Sequence, residues 1–226
     1  MNFPKHIAFI VDGNRRWARK KGLSDIAGHQ YVADKIIEPL INHCLKLNIP
    51  YLTFWAFSTE NWKRGEKFAQ AIFMILRKGL KKSIEGYKKA GMRLKIIGDL
   101  DKLPSDLVSQ IKTWVDESKE NDKITVTFAL NYGGRDEIIR GINKLLKEKK
   151  EKVSQDELEK YLDTFGLPDP DLIIRTGGDK RLSGFLLWQS EYSEIYFTKT
   201  LMPDFNPEKL DQALKNFQKR QRRFGK

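Results

Sequence analysis

The sequence predicts an α/β protein whose central sheet is mostly parallel and is flanked by helices. Short runs of β-branched and aromatic residues alternate along the chain with longer segments in which apolar residues recur every three or four positions. Strands that alternate with helices in this way favour a parallel sheet. No repeat, low-complexity segment or linker divides the 226 residues, so we predict a single domain over residues 1–226.

The predicted elements follow one another closely along the chain. A helix predicted over 30–47 has an amphipathic pattern that contains Pro39, which we expect to kink it. A longer helix over 66–90 carries an apolar stripe, and Pro104-Ser105 is typical of the start of the helix that follows. The predicted strands are Ile7–Val11, Tyr51–Phe57, Arg93–Ile97, Ile124–Leu130, Leu172–Arg175 and Ile195–Phe197, and the predicted helices cover 30–47, 66–90, 105–119, 136–149, 155–163 and 207–224.

The charge of the chain favours anionic partners. Lysine and arginine outnumber aspartate and glutamate by 42 to 30, which gives a formal charge of +12. Such an excess suits nucleic acid, an acidic membrane surface or a polyphosphate substrate, and it does not distinguish among them. The single cysteine, Cys44, excludes an intrachain disulfide and predicts a reducing, cytoplasmic environment. Because the first predicted strand begins at Ile7 and no apolar run reaches about 20 residues, we expect neither a signal peptide nor a membrane span.

Four predicted strands end in polar or glycine-rich segments that suit a phosphorylated ligand. The first is Asp12-Gly13-Asn14, which enters a helix with Arg15 and Arg16 in its first turn. The carboxyl ends of parallel strands share one edge of the sheet, and helix N-termini at that edge bind anions. Aspartate offers the oxygen ligand that Mg²⁺ prefers, and arginine pairs with phosphate through two N–H donors. The other three segments are Phe57–Trp62, Asn131–Arg135 and Arg175–Gly178.

Several common catalytic motifs are absent from the sequence. It contains no P-loop, no Gly-x-Gly-x-x-Gly fingerprint, no His-Glu-x-x-His zinc motif and no Gly-x-Ser-x-Gly nucleophile elbow. A strand-end aspartate is also typical of aspartyl phosphatases, but those carry a second aspartate two residues later, where this chain has Asn14. The remaining pattern therefore favours an enzyme that binds a metal-associated phosphorylated substrate.

The polar segments and their flanks resemble one family, the cis-prenyltransferases of the undecaprenyl diphosphate synthase type. The resemblance runs nearly from end to end, with the motifs in order and at similar spacing. The matching stretches are His6–Ala18, Gly28-His29, Ala56–Trp62 with Arg64, Asn131–Arg135, Ile174–Gly178 with Arg181 and Ser183, Phe185–Gln189, Tyr192–Phe197 and Arg222–Gly225.

This resemblance implies a Mg²⁺-dependent enzyme that adds isopentenyl diphosphate repeatedly to an allylic diphosphate, with farnesyl diphosphate as the expected starter. The product would be a long-chain polyprenyl diphosphate with cis double bonds, by default undecaprenyl diphosphate, a lipid carrier for envelope glycans. The resemblance also implies a six-stranded sheet, a hydrophobic tunnel and a homodimer. It further implies a cytoplasmic protein that contacts the membrane surface transiently, and it leaves nucleic acid out as a partner.

The resemblance assigns a role to each matching residue. Asp12 and Glu194 are the implied metal ligands, and Asp12, Asn14, Ser58 and Asn61 are assigned to catalysis. Arg223 lies in a tail that would reach the site of the partner subunit. The residues assigned to binding the two diphosphate substrates are Gly13, Arg15, Arg16, Trp17, His29, Glu60, Trp62, Arg64, Arg175, Arg181, Ser183 and Arg223.

A growing polyprenyl chain would need an apolar tunnel. Ala56 lies next to an active-site loop, where a small side chain favours a long product. The candidate linings are residues that any buried core would also use, so the pattern alone does not separate the two roles. They are Ile36, Leu40, Ile72, Phe73, Leu76, Leu80, Val126, Phe128 and Leu130.

Two positions depart from the common bacterial pattern of the family. Arg15 stands where bacterial members often have glycine, and Asp25 stands where many members carry an arginine that helps to bind the starter diphosphate. We expect the exchange of a cation for an anion to weaken that pocket unless Arg15 compensates. Two other functions remain open at this point: a catalytically silent homologue that acts as a partner subunit, and a basic nucleic-acid-binding domain supported by charge alone.

Overall fold

Six strands form a single sheet at the centre of the molecule. The computed structural model describes residues 3–148 and 152–220, without the side chains of residues 80–85, 88 and 89. The strands are β1 (His6–Ile10), β2 (Tyr51–Ser58), β3 (Met92–Ile97), β4 (Ile124–Tyr132), β5 (Leu172–Arg175) and β6 (Glu194–Phe197). They lie in the order β3-β4-β2-β1-β5-β6, and each neighbouring pair is parallel. The predicted single-domain α/β fold is therefore confirmed, with a sheet that is wholly parallel rather than mostly so.

Eight α-helices of the described residues surround this sheet. They are α1 (Asn14–Lys20), α2 (Ala27–Lys35), α3 (Ile37–Lys46), α4 (Glu66–Lys89), α5 (Ser105–Glu117), α6 (Gly134–Lys147), α7 (Gln155–Glu159) and α8 (Pro207–Gln218). Their starts follow from local sequence. Asn206 caps α8 by accepting a hydrogen bond from the Lys209 amide, and Pro207 occupies the first turn, where no amide donor is needed. None of the described helices is long and apolar enough to cross a membrane.

Strand β1 shows how the sheet separates two cores. All five of its residues are buried, and alternate side chains point to opposite faces. Ile7 and Phe9 belong to the core that includes residues of α3 and α8, where the Phe9 ring stacks on Phe54 with 4.8 Å between centroids. Ala8 and Ile10 face the other core, which contains Phe185. A strand buried on both faces reads as a continuous apolar run, which is why the sequence identified it.

The helix predicted over 30–47 is two helices. Helix α2 begins earlier, at Ala27, and the chain breaks at Ile36 before α3 begins. Pro39 explains the break: it has no amide hydrogen, and its ring opposes the carbonyl group four residues back, that of Lys35. The expected kink is therefore a full interruption. Because α2 starts at Ala27, His29 falls in its first turn, next to Gly28, which contacts the first residue of α1, Asn14.

The other element boundaries shift by a few residues. Helix α7 ends at Glu159, earlier than the predicted 155–163, and the tail helix α8 ends at Gln218. Strand β4 continues to Tyr132, so it includes the first residues of the predicted Asn131–Arg135 loop. The apolar segment around Phe185 forms turns that pack on the sheet instead of a regular element. Residues 221–226 lie outside the described part of the chain.

Candidate active site

A cavity of about 560 Å³ opens at the carboxyl ends of β1, β2 and β5. Ligands of open parallel sheets bind at this edge. Six arginines and three carboxylates line the cavity, so its described walls carry a clear excess of positive charge. The lining residues are Ile10, Val11, Asp12, Gly13, Asn14, Arg15, Arg16, Arg19, His29, Trp55, Ala56, Ser58, Glu60, Asn61, Arg64, Arg175, Asp179, Arg181 and Ser183.

Asp12 lies at the centre of this charge cluster, two residues past the end of β1. One carboxylate oxygen accepts a hydrogen bond from the Gly13 amide at 2.6 Å and from Arg16 at 3.2 Å, and the other accepts from Arg175 at 2.9 Å. Burial alone would raise the pKa of Asp12, but the hydrogen bond and charge of Arg175, together with Gly13 and Arg16, hold it below its usual range. Asp12 is therefore an anion at neutral pH.

Arg175 is the buried anchor of the same cluster. Its guanidinium donates to Asp12, to the Ser183 hydroxyl at 2.7 Å, to the Arg181 carbonyl and, at 3.3 Å, to Asp179. Asp179 in turn accepts from Arg181 at 2.6 Å. Arg181 itself is mostly exposed and lines the cavity, so its guanidinium remains accessible to a ligand. Arg175 thus orders the loop that presents Arg181 and Ser183.

Two glycines allow the strand ends to approach each other closely. Gly13 has a φ of +100°, and a Cβ there would lie 2.8 Å from the Leu201 side chain. Gly177 has a φ of +89°, and a Cβ there would lie 2.5 Å from the Arg16 guanidinium. Both positions lie in the left-handed region that glycine adopts without strain. Gly177 thereby lets the loop after β5 pack on Asp12 and Arg16, and Gly13 lets the loop after β1 pack on Leu201.

The opposite side of the cavity is formed by Arg15, His29 and Arg64. His29 reaches it because α2 crosses α1 at Gly28, where a Cβ would lie only 2.1 Å from the Asn14 carbonyl oxygen. His29 Nδ1 donates to the Asp25 carbonyl at 3.3 Å, and burial, with the charges of Arg64 and Arg15, lowers its pKa to about 4. His29 is therefore neutral at pH 7. Arg15 and Arg64 both line the cavity, and burial together with the charge of Arg15 lowers the pKa of Arg64.

The third part of the rim is a 3₁₀ helix, Thr59–Arg64, that follows β2. Ser58 caps it, and the Ser58 amide donates to Asn61 Oδ1 at 3.1 Å. This capping box fixes both side chains beside the cavity, where Glu60 and Arg64 also lie. Glu60 is exposed and pairs with Lys63 at 2.5 Å.

Two predicted binding residues, Trp17 and Trp62, are absent from the lining of this cavity. Trp17 is buried, donates to Asp204 at 2.8 Å and packs on the Tyr31 ring. Trp62 donates to Asn131 Oδ1 at 2.8 Å, and its ring contacts Phe57 edge-on. Both indoles therefore pack against other residues of the protein and do not line this cavity.

The segment Asn131–Arg135 also supports the site instead of lining it. Asn131 is buried, donates to the Asp99 carbonyl at 2.8 Å and accepts from Trp62. It thereby ties the ends of β3 and β4 to the 3₁₀ helix. The sequence placed this segment correctly at the rim, but the direction of its side chains depends on packing that the motif does not reveal.

Glu194 is the predicted site residue that the structure places elsewhere. It is the first residue of β6 and pairs with Leu172, the first residue of β5, so it lies at the amino end of the sheet. Asp12 lies beyond the opposite end, about 16 Å further along the strand direction at 3.3 Å per residue. Glu194 instead pairs with Arg220 at 2.6 Å. Within one chain Glu194 does not join Asp12, so a metal role for it would need a second subunit. Arg223 lies outside the described residues.

The residues at the cavity fit a magnesium ion that arrives with a diphosphate. Among the described residues no group of three or more His, Cys, Asp or Glu side chains could enclose a metal. Mg²⁺ is, however, usually held by one or two carboxylates together with substrate phosphates and water. Asp12 is a partly exposed anion in the cavity, and Asp179 accepts from the same Arg175 nitrogen. These two carboxylates are the protein groups that could contact such an ion.

Sequence reasoning missed Asp179 and Arg19 as cavity residues. Asp179 follows Gly177-Gly178 and stands between two predicted binding residues, Arg175 and Arg181, so its position in that loop was a usable signal. Arg19 lies one helical turn after Arg15 on α1, which places both on one face of that helix.

A parallel sheet with a cationic, aspartate-centred cavity at its strand ends defines a protein that binds phosphorylated ligands. Comparison of the sequence with known families narrows this class: a family model described as undecaprenyl diphosphate synthase matches residues 10–225. The isoprenyl transferase of Aquifex pyrophilus is 42% identical over 226 residues, which cover 100% of this chain and 97% of the relative. That of Clostridium perfringens is 43% identical, covering 98% and 90%. The chain belongs to the undecaprenyl diphosphate synthase family and is a prenyltransferase.

Solved structures show the same fold with similar coverage. The crystal structure of lavandulyl diphosphate synthase from Lavandula x intermedia, in complex with dimethylallyl diphosphate, has a TM-score of 0.94 at 31% identity and covers 99% of both chains. A probable undecaprenyl diphosphate synthase from Campylobacter jejuni has a TM-score of 0.84 at 38% identity and covers 100% of both chains.

Proposed function

We propose that this prenyltransferase condenses isopentenyl diphosphate repeatedly with an allylic diphosphate, in the presence of Mg²⁺, to make a long-chain polyprenyl diphosphate. The observation that carries the proposal is the arrangement of one cavity with two cationic sides. Arg175 and Arg181 lie on one side of Asp12, and Arg15 and Arg64 lie on the other. Two diphosphates brought together for condensation need two such anion sites in one space.

We assign the two sides to the two substrates. Gly13, Asn14, Arg15, Arg16, His29 and Arg64 would hold the allylic diphosphate, beside the N-terminus of α1. Arg181 and Ser183, ordered by the buried Arg175, would hold isopentenyl diphosphate. Farnesyl diphosphate is the starter that we expect, and undecaprenyl diphosphate, as a lipid carrier for envelope glycans, is the expected product.

The chemistry requires cations where the leaving group departs. Ionisation of the allylic diphosphate places negative charge on the leaving oxygen, and Arg16, with the other arginines on that side, would stabilise it as it forms. When bound, Mg²⁺ would add further positive charge at the diphosphate, held by Asp12. Proton loss after the new bond forms would occur beside Asn14, Ser58 and Asn61 or to a phosphate oxygen. Asn14 Oδ1 is buried without a hydrogen-bond partner among the described residues, so it can still accept one.

We propose that an apolar path for the growing chain starts at the apolar part of the cavity lining. Ile10, Val11, Trp55 and Ala56 belong to that lining. Ile72 and Phe73 of α4 belong to the core cluster that includes Phe57 and Leu130, and Ala56, Leu76 and Phe128 pack against that cluster. Val126, Ile36 and Leu40 pack in the other core, and the side chain of Leu80 lies outside those described. We propose that the product extends between α4 and the sheet, past Ala56.

A homodimer is part of the proposed functional unit. The outer face of α6 exposes Ile139, Ile142 and Leu146, which recur at helical spacing. Leu187, which packs beside Gly134 at the start of this helix, is also partly exposed. A second copy of the chain would cover this stripe. The excess of positive charge on the chain supports transient contact with an anionic membrane surface.

The proposal is tested by incorporation of radiolabelled isopentenyl diphosphate with dimethylallyl, geranyl or farnesyl diphosphate, with and without Mg²⁺. We expect a long polyprenyl product that requires Mg²⁺ and that falls at least about 1,000-fold in Asp12→Ala, because the variant loses a carboxylate at the reacting diphosphates. Asp106→Ala is the matched control, since Asp106 also pairs with an arginine, Arg77, but lies away from the cavity. Absence of incorporation with every starter would overturn the proposal and favour a silent partner subunit.

A further inference from the structure

Asp25 is partly exposed and bridges two arginines that line the cavity. One carboxylate oxygen accepts from Arg15 Nε at 2.7 Å and from Arg19 at 2.8 Å, and the other accepts from Arg19 Nε at 2.7 Å. Asp25 is not among the residues that line the cavity, whereas Arg15 and Arg19 are. The carboxylate therefore acts on the cavity through these two side chains.

The geometry of this bridge leaves the terminal nitrogens of Arg15 available to a ligand. Arg19 commits both Nε and a terminal nitrogen to Asp25, but Arg15 commits Nε alone. Within the described part of the chain, the two terminal nitrogens of Arg15 have no hydrogen-bond partner. They form a planar pair of donors of the kind that binds a phosphate through two hydrogen bonds.

Arg15 lines the cavity together with Arg64 and His29. Arg64 is exposed, lies over the Phe68 ring at 5.1 Å and makes no ion pair within the described chain. Its charge and that of Arg15 act on each other and on His29. The backbone carbonyl of Asp25 also accepts from His29 Nδ1. Asp25 thus contacts two of the three groups that form this side of the cavity.

Without a carboxylate, Arg15 would not hold this position. Arg15 and Arg19 are one turn apart on α1, where like charges repel. Arg15 would also face the charge of Arg64 with no counter-ion. A long side chain in that situation samples many rotamers, and a ligand must then order it at a cost in affinity.

We propose that Asp25 is a positioning residue that holds the Arg15 guanidinium in the cavity for the diphosphate of the allylic substrate. This inference rests on the proposed function for the identity of that substrate. It also addresses the departure noted in the sequence: an anion at position 25 does not weaken the pocket if it sets the direction of a cation at position 15.

For the effect of removing Asp25 on binding of the allylic diphosphate, the proposal predicts a change opposite in sign to that expected from charge alone. If Asp25 acted only through its charge, its removal would leave the cavity more positive and would tighten binding of an anion. If it acts by holding Arg15, its removal must weaken binding of the allylic diphosphate. Because isopentenyl diphosphate is assigned to the opposite side, its binding must change little in either direction.

The test measures binding by calorimetry with farnesyl thiodiphosphate, an unreactive analogue of an allylic diphosphate, and with isopentenyl diphosphate, under equal Mg²⁺. We expect Asp25→Ala to weaken binding of the analogue about 3- to 10-fold, the size set by the ordering of one long side chain. Asp25→Glu keeps the carboxylate and should restore most of the loss. In an Arg15→Ala background, Asp25→Ala should change binding less than about twofold. Circular dichroism confirms that each variant is folded.

Three results would overturn the inference. They are tighter or equal binding of the analogue by Asp25→Ala, an equal loss for isopentenyl diphosphate, and a loss that persists in the Arg15→Ala background. Incorporation assays on the same samples separate this inference from the proposed function. A wild-type protein that binds the analogue but incorporates no isopentenyl diphosphate would contradict the proposed function, while the binding comparison would still decide the role of Asp25.

Discussion

The two ends of strand β1 carry polar groups that are satisfied to very different degrees. At the amino end, His6 is buried, its Nδ1 donates to the Pro168 carbonyl at 2.7 Å, and its Nε2 accepts from the Thr53 hydroxyl at 2.8 Å. The carboxylate of Asp171 accepts from the amides of Lys5 and His6 at 2.6 and 3.0 Å. These side chains find their partners within the protein.

At the carboxyl end, the polar groups are only partly satisfied. Arg175 Nε and Asn14 Oδ1 are buried without a hydrogen-bond partner in the described part of the chain. The terminal nitrogens of Arg15 lack one as well, and arginines outnumber carboxylates around the cavity. A buried polar atom without a partner costs about 1–3 kcal/mol, so a fold keeps few of them unless a ligand completes them.

The difference between the two ends separates polar residues that stabilise the fold from polar residues whose hydrogen-bond partners a ligand would supply. Buried polar groups lie at both ends, with His6 at the amino end and Asn14 and Arg175 at the carboxyl end, so burial alone does not distinguish them. What differs is whether the hydrogen-bonding groups are complete without a ligand. A mutation at the amino end should therefore change stability, and one at the carboxyl end should change activity.

Among the variants that test this comparison, Arg181→Ala should show the largest effect, which is on activity. We expect kcat/KM for isopentenyl diphosphate to fall about 100- to 1,000-fold, because a cation that faces a diphosphate is lost. The free energy of unfolding should change by less than about 0.5 kcal/mol, since this arginine is 63% exposed and its ion pair with Asp179 is screened by water. Steady-state kinetics and urea unfolding measure the two quantities.

Arg77→Ala is the matched control for the loss of activity expected in Arg181→Ala. Arg77 also pairs with an aspartate, Asp106, but lies away from the cavity. Arg77→Ala should therefore keep its activity with isopentenyl diphosphate. Retention of kcat/KM within about threefold in Arg181→Ala would contradict the assignment of that side of the cavity.

The next effect is on stability, in His6→Leu. The substitution leaves the Pro168 carbonyl and the Thr53 hydroxyl without partners in a buried site, which should lower the free energy of unfolding by about 2–4 kcal/mol. The kcat of the folded variant, measured well below its melting temperature, should remain within about twofold of the wild type. His43→Leu provides the comparison: His43 pairs with the more exposed Asp211, so its loss should cost under about 1 kcal/mol. Equal losses of unfolding free energy in His6→Leu and His43→Leu would show that the buried hydrogen bonds of His6 stabilise the fold no more than the exposed pair of His43.

The same comparison explains what the sequence could predict. Strand β1 was identified correctly because both of its faces are buried, which leaves a continuous apolar run. Arg181 was placed in the site by the family resemblance, whereas Asp12 and Arg175 were placed together because the carboxyl ends of parallel strands meet at one edge. The predictions for β1, Asp12 and Arg175 depend on local patterns and on one rule about sheets, so they needed no knowledge of packing.

Other features are determined only by the assembled chain. Glu194 was expected to join Asp12 at the metal site, but the register of β6 places it at the amino end of the sheet, so within one chain the two do not meet. The break at Ile36 required the clash of Pro39 to be weighed against the helical pattern on both sides. The bridge from Asp25 to Arg15 and Arg19 depends on how the chain after α1 folds back; Gly22 signals the end of that helix but not where it places Asp25.

The smallest expected effect concerns pH and involves one histidine from each end. Burial lowers the pKa of both His6 and His29 to about 4, below the ordinary 6.5 of the unfolded chain. The unfolded state therefore binds more protons, so stability is complete above about pH 6.5 and is lost as the pH falls toward 4. Between pH 5 and 6 each histidine should contribute a slope of about 1 kcal/mol per pH unit.

The two contributions can be separated by urea unfolding across that pH range. His6→Leu and His29→Leu should each remove about half of the slope. Farnesyl thiodiphosphate should flatten the slope in His6→Leu, because an anion beside His29 favours the protonated ring and raises its pKa. The same ligand should leave the slope of His29→Leu unchanged, since His6 has no contact with the cavity. If the ligand changed the pH slope of His29→Leu, which retains His6, the two ends of β1 would not be independent.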